Sequence, residues 1–176
     1  MKLKSILIIG IVILFLGCGP TKDQRIAEIT AMEKVLQTSS AAISLEKADS
    51  MLTKYAEFVE EFPTDTLSAK YLYQSGVISA NIGECNEAVA FFDEVIQKFP
   101  DLGIAANSLL QKGYTYETCL KDTVAAREAY TVFIQDYPRH PYVKEVEVLL
   151  QMLTMGDNLE LVRSFEQKNN NSIQGE

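Results

Sequence analysis

The sequence has no tryptophan, one histidine, three cysteines and five prolines among 176 residues. A lone His140 excludes a zinc site built from several imidazoles and leaves a Ser/His/Asp array on a helix face scarcely available. No glycine-rich phosphate loop and no CxxC pair occurs. Basic residues are in deficit, 16 against 24 acidic, for a formal charge of −8. Such an acidic surface repels nucleic acid and anionic headgroups, so no nucleic-acid partner is expected. The acidic residues themselves, Glu57, Glu60, Glu61, Asp93 and Glu94 among them, fall on polar helix faces and read as solvated. His140, between Pro138 and Pro141, reads as a solvated loop residue. No catalytic, cofactor-binding or metal-binding residue is assigned. Long apolar runs are also missing: Ile6 to Leu16 is eleven residues, short of the roughly 20 that a spanning helix needs.

What is present is periodicity. Glu61-Phe62-Pro63, Lys98-Phe99-Pro100 and Asp136-Tyr137-Pro138 end three similar segments, with prolines 37 and 38 residues apart. Eight residues before each proline stands an aromatic (Tyr55, Phe92, Tyr130), five before it a large apolar residue (Phe58, Val95, Phe133), and four before it Val59, Ile96 and Ile134. In the middle segment Ala88, Phe91, Phe92, Val95, Ile96 and Phe99 are separated by threes and fours, one buried stripe of an amphipathic helix. Proline then stops the helix. A second helix follows each of the first two stops, from about Thr66 to Ile82 and from about Gly103 to Leu120, sharing Ala69 with Ala106, Leu72 with Leu109 and Gly76 with Gly113. Stepping 37 residues back from Gly76 reaches Ser39, also small. Glycine inside a helix costs about 1 kcal/mol against alanine, so each glycine marks a close approach, expected from the backbone of the partner helix.

These residues resemble the tetratricopeptide repeat. Leu72, Gly76, Ala88, Phe92 and Pro100 match that family's large residue, glycine, alanine, aromatic and proline. A second copy reads Leu109, Gly113, Tyr116, Ala126, Tyr130 and Pro138, with one extra residue in its turn. The first copy, Val35, Ser39, Tyr55 and Pro63, is degenerate; Ser79 stands where tyrosine is usual. The resemblance implies an all-α solenoid of helical hairpins, about three to four repeats over residues 25–168, in which neighbours bury what one hairpin cannot and curl around a groove. Such a groove implies a protein or peptide partner. Tyr71, Tyr73, Tyr114 and Tyr116 divide between packing and groove, with packing favoured. Asn158 to Lys168 is expected to cap the array, and residues 169–176 to be a disordered tail.

At the amino end, Lys2 and Lys4 precede the apolar run, and Leu16-Gly17-Cys18-Gly19 resembles a bacterial lipobox. The resemblance implies removal of residues 1–17, acylation of Cys18, and a mature chain of charge −10 held to a membrane by lipid. Residues 18–24 then form a short tether. An ordinary secretory signal would not require a cysteine at the cut. Lipidated chains with Phe-Pro and Tyr-Pro repeat ends are similar to BamD-type outer-membrane assembly lipoproteins and to the repeat domain of the Tol-Pal coordinator. That resemblance implies the periplasmic face of the outer membrane, since Gly19 is not the aspartate that retains enteric lipoproteins at the inner one.

Export permits a disulfide between Cys85 and Cys119, which the repeat alignment places near the turns of successive repeats. Their offsets from the following prolines, 15 and 19 residues, argue against a bridge, and the balance falls to two free, half-buried thiols. The leading expectation is a non-catalytic scaffold holding an envelope protein or peptide. The alternatives are an enzyme or accessory subunit of cell-wall or glycan processing, and a binder of small ligands or glycans.

Overall fold

The structure, a computed structural model, describes residues 19–38 and 44–173. Among them the chain forms α1 (Lys22–Thr38), α2 (Leu45–Glu61), α3 (Thr66–Ile82), α4 (Cys85–Lys98), α5 (Gly103–Thr115), α6 (Thr123–Asp136) and α7 (Val143–Ile173), with no strand among the described residues. The signal segment 1–17, Cys18 and Ser39 lie outside the described residues.

The helix ends follow from local chemistry. Phe62, Phe99 and Tyr137 close α2, α4 and α6 at φ −127°, −131° and −123°, while their N–H groups still donate to the carbonyls of Phe58, Val95 and Phe133. Each is followed by proline, which offers no N–H and crowds the residue before it out of the helical region. Asp65 caps the start of α3 by accepting the Leu67 N–H at 2.8 Å, and Asp122 caps α6 through the Ala125 N–H at 2.9 Å. Gly83 ends α3 in the left-handed region at φ 89°, where a side chain would be strained. Between α5 and α6 the chain instead makes a π turn, Tyr116–Leu120, and Lys121 takes the left-handed position at φ 59°. That wider turn absorbs the residue by which the second repeat exceeds the first.

Three hairpins stack in chain order, α1 with α2, α3 with α4, and α5 with α6, and α7 packs on α6. Three apolar cores follow one another along the stack. Ile29, Met51, Tyr55, Phe58 and Tyr71 join α1, α2 and α3; Ala69, Leu72, Val95 and Phe99 join α3 and α4; Leu109, Tyr130, Phe133 and Val146 join α5, α6 and α7. Each aromatic eight residues before its proline is fully buried or nearly so. The two helical glycines admit these rings: a Cβ on Gly76 would lie 2.5 Å from the Phe92 ring, and one on Gly113 would lie 2.4 Å from the Tyr130 ring. The close neighbour is therefore an aromatic side chain of the partner helix, not its backbone as the sequence suggested.

Elsewhere, too, the structure departs from the sequence reading. In the first hairpin Ile29 is buried and Val35, assigned the place of Leu72, is 59% exposed. The cause is that α1 starts seven residues earlier than a 37-residue step back from α3. Its start at Lys22 also places the end of the 18–24 tether within the helix. At the other end α7 runs unbroken through the stretch expected to cap the array and on to Ile173, so residues 169–173 are helical rather than disordered. No glycine or proline follows Gly156 before Ile173, and a helix already nucleated propagates cheaply. The face of α7 turned from α6 leaves Val148, Met152, Met155 and Leu159 exposed.

Candidate functional site

The repeat-signature residues are structural. Leu72, Ala88, Phe92, Leu109, Ala126 and Tyr130 are buried, Gly76 and Gly113 make room for rings, and Pro100 and Pro138 are exposed behind their helix ends. Tyr116 is half-buried at the head of the π turn, with the Lys112 ammonium 5.8 Å from its ring centre.

Cys85 and Cys119 are joined in a disulfide with Cα atoms 6.0 Å apart. The unequal offsets that argued against a bridge have a simple resolution. Cys85 opens α4 and Cys119 lies just past the end of α5; these helices pack against each other and run in opposite directions, so the start of one meets the end of the other. Position relative to the proline does not decide the distance. The bridge ties the turn of the α3–α4 hairpin to that of the α5–α6 hairpin.

Candidate acid–base groups are engaged structurally. Arg25 binds Glu57 at 3.1 Å and Glu61 at 2.5 Å, Lys112 binds Asp93 at 2.6 Å, and Lys98 binds Glu94 at 2.6 Å. These carboxylates are paired, where the sequence reading had them merely solvated. His140 is not a free loop residue either: its ring meets Phe133 edge-on at 5.1 Å, and its Nδ1 accepts the Tyr142 N–H at 3.3 Å. No group of three or more His, Cys, Asp or Glu side chains among the described residues is placed to hold a metal. No described helix is long and apolar enough to cross a membrane.

The four tyrosines in question separate. Tyr71 is core, 1% exposed, stacked on Tyr55 at 4.9 Å. Tyr73 and Tyr114 are half-buried, each with one side against an aromatic of the partner helix: Tyr73 with Phe92 at 5.9 Å, Tyr114 with Tyr130 at 5.8 Å. Gln111 is half-buried on α5, and Tyr142 is 53% exposed just before α7. On α5, Asn107, Gln111 and Tyr114 recur at helical spacing on one face, and 37 residues earlier α3 presents Lys70, Gln74 and Val77 in the same register.

Burial pushes the Tyr73 and Tyr114 hydroxyls above the ordinary tyrosine range, and at Tyr114 the nearby charges of Glu117 and Glu145 add to this. Tyr55 and Tyr130 are raised furthest, first by burial and then by donating to Glu33 at 2.8 Å and Glu117 at 2.7 Å. The arrangement across α3, α5 and the start of α7 offers ring surface, an amide and carboxylates, the materials of a peptide-binding face. Tyr142, Gln111 and Glu145 were not singled out from the sequence. The shared register of α3 and α5 was available as a signal for Gln111, but the Pro138–Pro141 loop shifts α7 out of that register and hid the other two.

Residues 70–102 and 107–140 match the sequence profile of the tetratricopeptide repeat family. No curated protein matches the chain. With the architecture described above, the fold is an all-α, tetratricopeptide-like solenoid of helical hairpins, a kind of array that serves as a protein-interaction scaffold.

Proposed function

We propose that this chain is a non-catalytic scaffold of a bacterial envelope, fixed to the membrane by acyl chains on Cys18, whose first-helix face holds a segment of another envelope protein. The observation that carries the binding role is a set of partly exposed aromatic and amide side chains, Tyr73 on α3, Gln111 and Tyr114 on α5 and Tyr142 in the turn before α7, with Tyr73 and Tyr114 backed by Phe92 and Tyr130. Their positions are set by cores on the opposite side, so the face is rigid before a partner arrives, which limits the ordering cost of binding.

Support for the envelope comes from the lipobox-like Leu16-Gly17-Cys18-Gly19 and from the Cys85–Cys119 bridge, since disulfides persist in oxidising compartments. A helix starting at Lys22, four residues after Cys18, would hold the repeats near the bilayer surface. A role in outer-membrane protein assembly fits this placement and the resemblance to assembly lipoproteins.

The test has two arms. Expressed with its own amino terminus in a bacterial host, the chain should incorporate labelled palmitate and lose the label on Cys18→Ser. Crosslinking from intact envelopes should recover a protein that the doubly substituted Tyr114→Ala/Tyr142→Ala chain does not. Equal recovery by both chains refutes the assigned face, and an unlabelled wild-type chain refutes the anchor.

A further inference from the structure

We propose that the exposed stripe of α7 pairs two copies of this chain, helix against helix and antiparallel about a two-fold axis near Thr154. Val146, Leu149, Leu150 and Leu153 pack α7 into the last core, and the helix then runs twenty residues further. Val148, Met152, Met155 and Leu159 lie outside that packing, 50%, 63%, 57% and 58% exposed. Their steps of four, three and four residues follow the 3.5-residue repeat of a seam between two helices, narrower than the stripe by which a helix lies on a globular core. The occupant is therefore a helix. Helices in water draw most of their stability from a packed apolar face, and this face of α7 is unpacked.

The stripe is complementary to itself. With the axis between Met152 and Met155, each Met152 meets the Met155 of the other copy and each Val148 meets the other's Leu159, apolar against apolar. Gln151 and Gly156, exposed along the borders, carry no charge, so two acidic chains meet there without opposing like charges. Glu145 and Arg163, both exposed, stand at the two ends of the stripe. They are eighteen residues apart, five turns at 3.6 residues each, and so share one edge of it. Reversing one helix against the other brings the Glu145 of each copy to the Arg163 of the other, about a midpoint within one residue of that of the apolar pairs. Opposite charges thus close both ends. A membrane surface is a poorer match, because α7 has three basic residues against five acidic, whereas helices that lie on anionic lipid are rich in lysine and arginine. The overlap from Glu145 to Arg163 engages fewer residues than the roughly 20–30 a side of a standard interface, so the dimer is weak, with Kd in the region of tens of micromolar.

Sedimentation equilibrium of the full chain in a density-matched nonionic detergent, over a range of protein concentrations, should show monomer passing to dimer. Met152→Glu/Met155→Glu should weaken association about tenfold or more, with the far-ultraviolet circular dichroism unchanged because both side chains are exposed. Glu145→Arg and Arg163→Glu should each cost about threefold. The combined Glu145→Arg/Arg163→Glu chain should recover the association of the unaltered one, since the exchanged charges again meet across the axis. A monomer at every concentration overturns the proposal, whether lipid or another protein takes the stripe instead. So does equal dimerisation of the Met152→Glu/Met155→Glu chain, or a combined charge exchange weaker than either single change.

Discussion

Ser79 is fully buried on α3, and its hydroxyl has no hydrogen-bond partner. Ser75 and Ser108, equally inaccessible, return their hydroxyls to the carbonyls of Tyr71 and Ile104 at 2.9 Å. An unsatisfied buried hydroxyl costs roughly 1–3 kcal/mol, so Ser79→Ala should raise the urea midpoint, and a lowered midpoint would show that the hydroxyl is satisfied. At Gly76 the direction reverses. Alanine there gains about 1 kcal/mol of helix propensity but drives a methyl into the Phe92 ring, which is itself fully buried and has nowhere to go. Overpacking of this kind costs about 1–3 kcal/mol. Gly76→Ala should therefore destabilise, and Gly76→Ala/Phe92→Leu should lose less than the sum of the single changes. The tyrosines make a third case. Six of the eight are held above their ordinary range, chiefly by burial. Between the unfolded and folded titrations the folded chain keeps protons that the unfolded chain has lost, so stability is full below about pH 10 and falls as the pH rises beyond it. Ultraviolet titration of tyrosinate in the folded chain should lag well behind that in denaturant, and coincident curves would contradict the burial. Phe92 and Tyr130 were legible in the sequence because each sits eight residues before a proline. The ring-on-glycine contact was not, because a small residue records that something comes close without recording what.

At the scale of the element, the bridge between the start of α4 and the turn after α5 closes a loop of sequence separation 34. In the chain-entropy account such a closure contributes about 4 kcal/mol, equivalent to roughly 10 °C in the melting temperature of a chain this size. Cys85→Ser/Cys119→Ser should show that loss with helical content retained, and alkylation without reductant should label neither thiol of the native chain. Two labelled thiols would contradict the bridge. The first helix is held differently. Among the described side chains of α1 only Ile29 is fully buried, and much of the helix's attachment is ionic: Arg25 to Glu57 and Glu61, Glu28 to Lys54, Lys22 to Asp65, and Glu33 to Lys70. Such pairs are individually weak and are screened at about 1 M salt. Hydrogen exchange in residues 22–38 should accelerate with salt while α3 to α5 stay protected; uniform protection would show that apolar contacts suffice. The limits of α3 were read correctly from apolar spacing and the Phe62-Pro63 stop. The start of α1 was placed at residue 25 rather than Lys22, because no aromatic–proline signal precedes it and the 37-residue step does not reach back that far. The π turn left only a length anomaly, one residue, with nothing to say how the backbone would accommodate it.

For the whole molecule, the stacking of hairpins was legible because each turn of the repeat states the same requirement, one apolar stripe needing a neighbour. The binding face was only half legible. Tyr73 and Tyr114 were visible as aromatics of undecided role, whereas the place of Tyr142 follows from the packing of α7 on α6, a relation that no local spacing encodes. The covalent link at the centre of the array also decides how the chain answers tension. If acyl chains hold the amino end and a partner draws on the body, the backbone of α1 to α3 can pay out, but the residues between Cys85 and Cys119 form a closed ring through which force passes by way of sulfur. The second helix of one hairpin and the first helix of the next, including Gln111 and Tyr114, lie within that ring, which limits how far a pull can draw them apart. The grip on a partner would outlast the unspooling of the segment that ties it to the membrane.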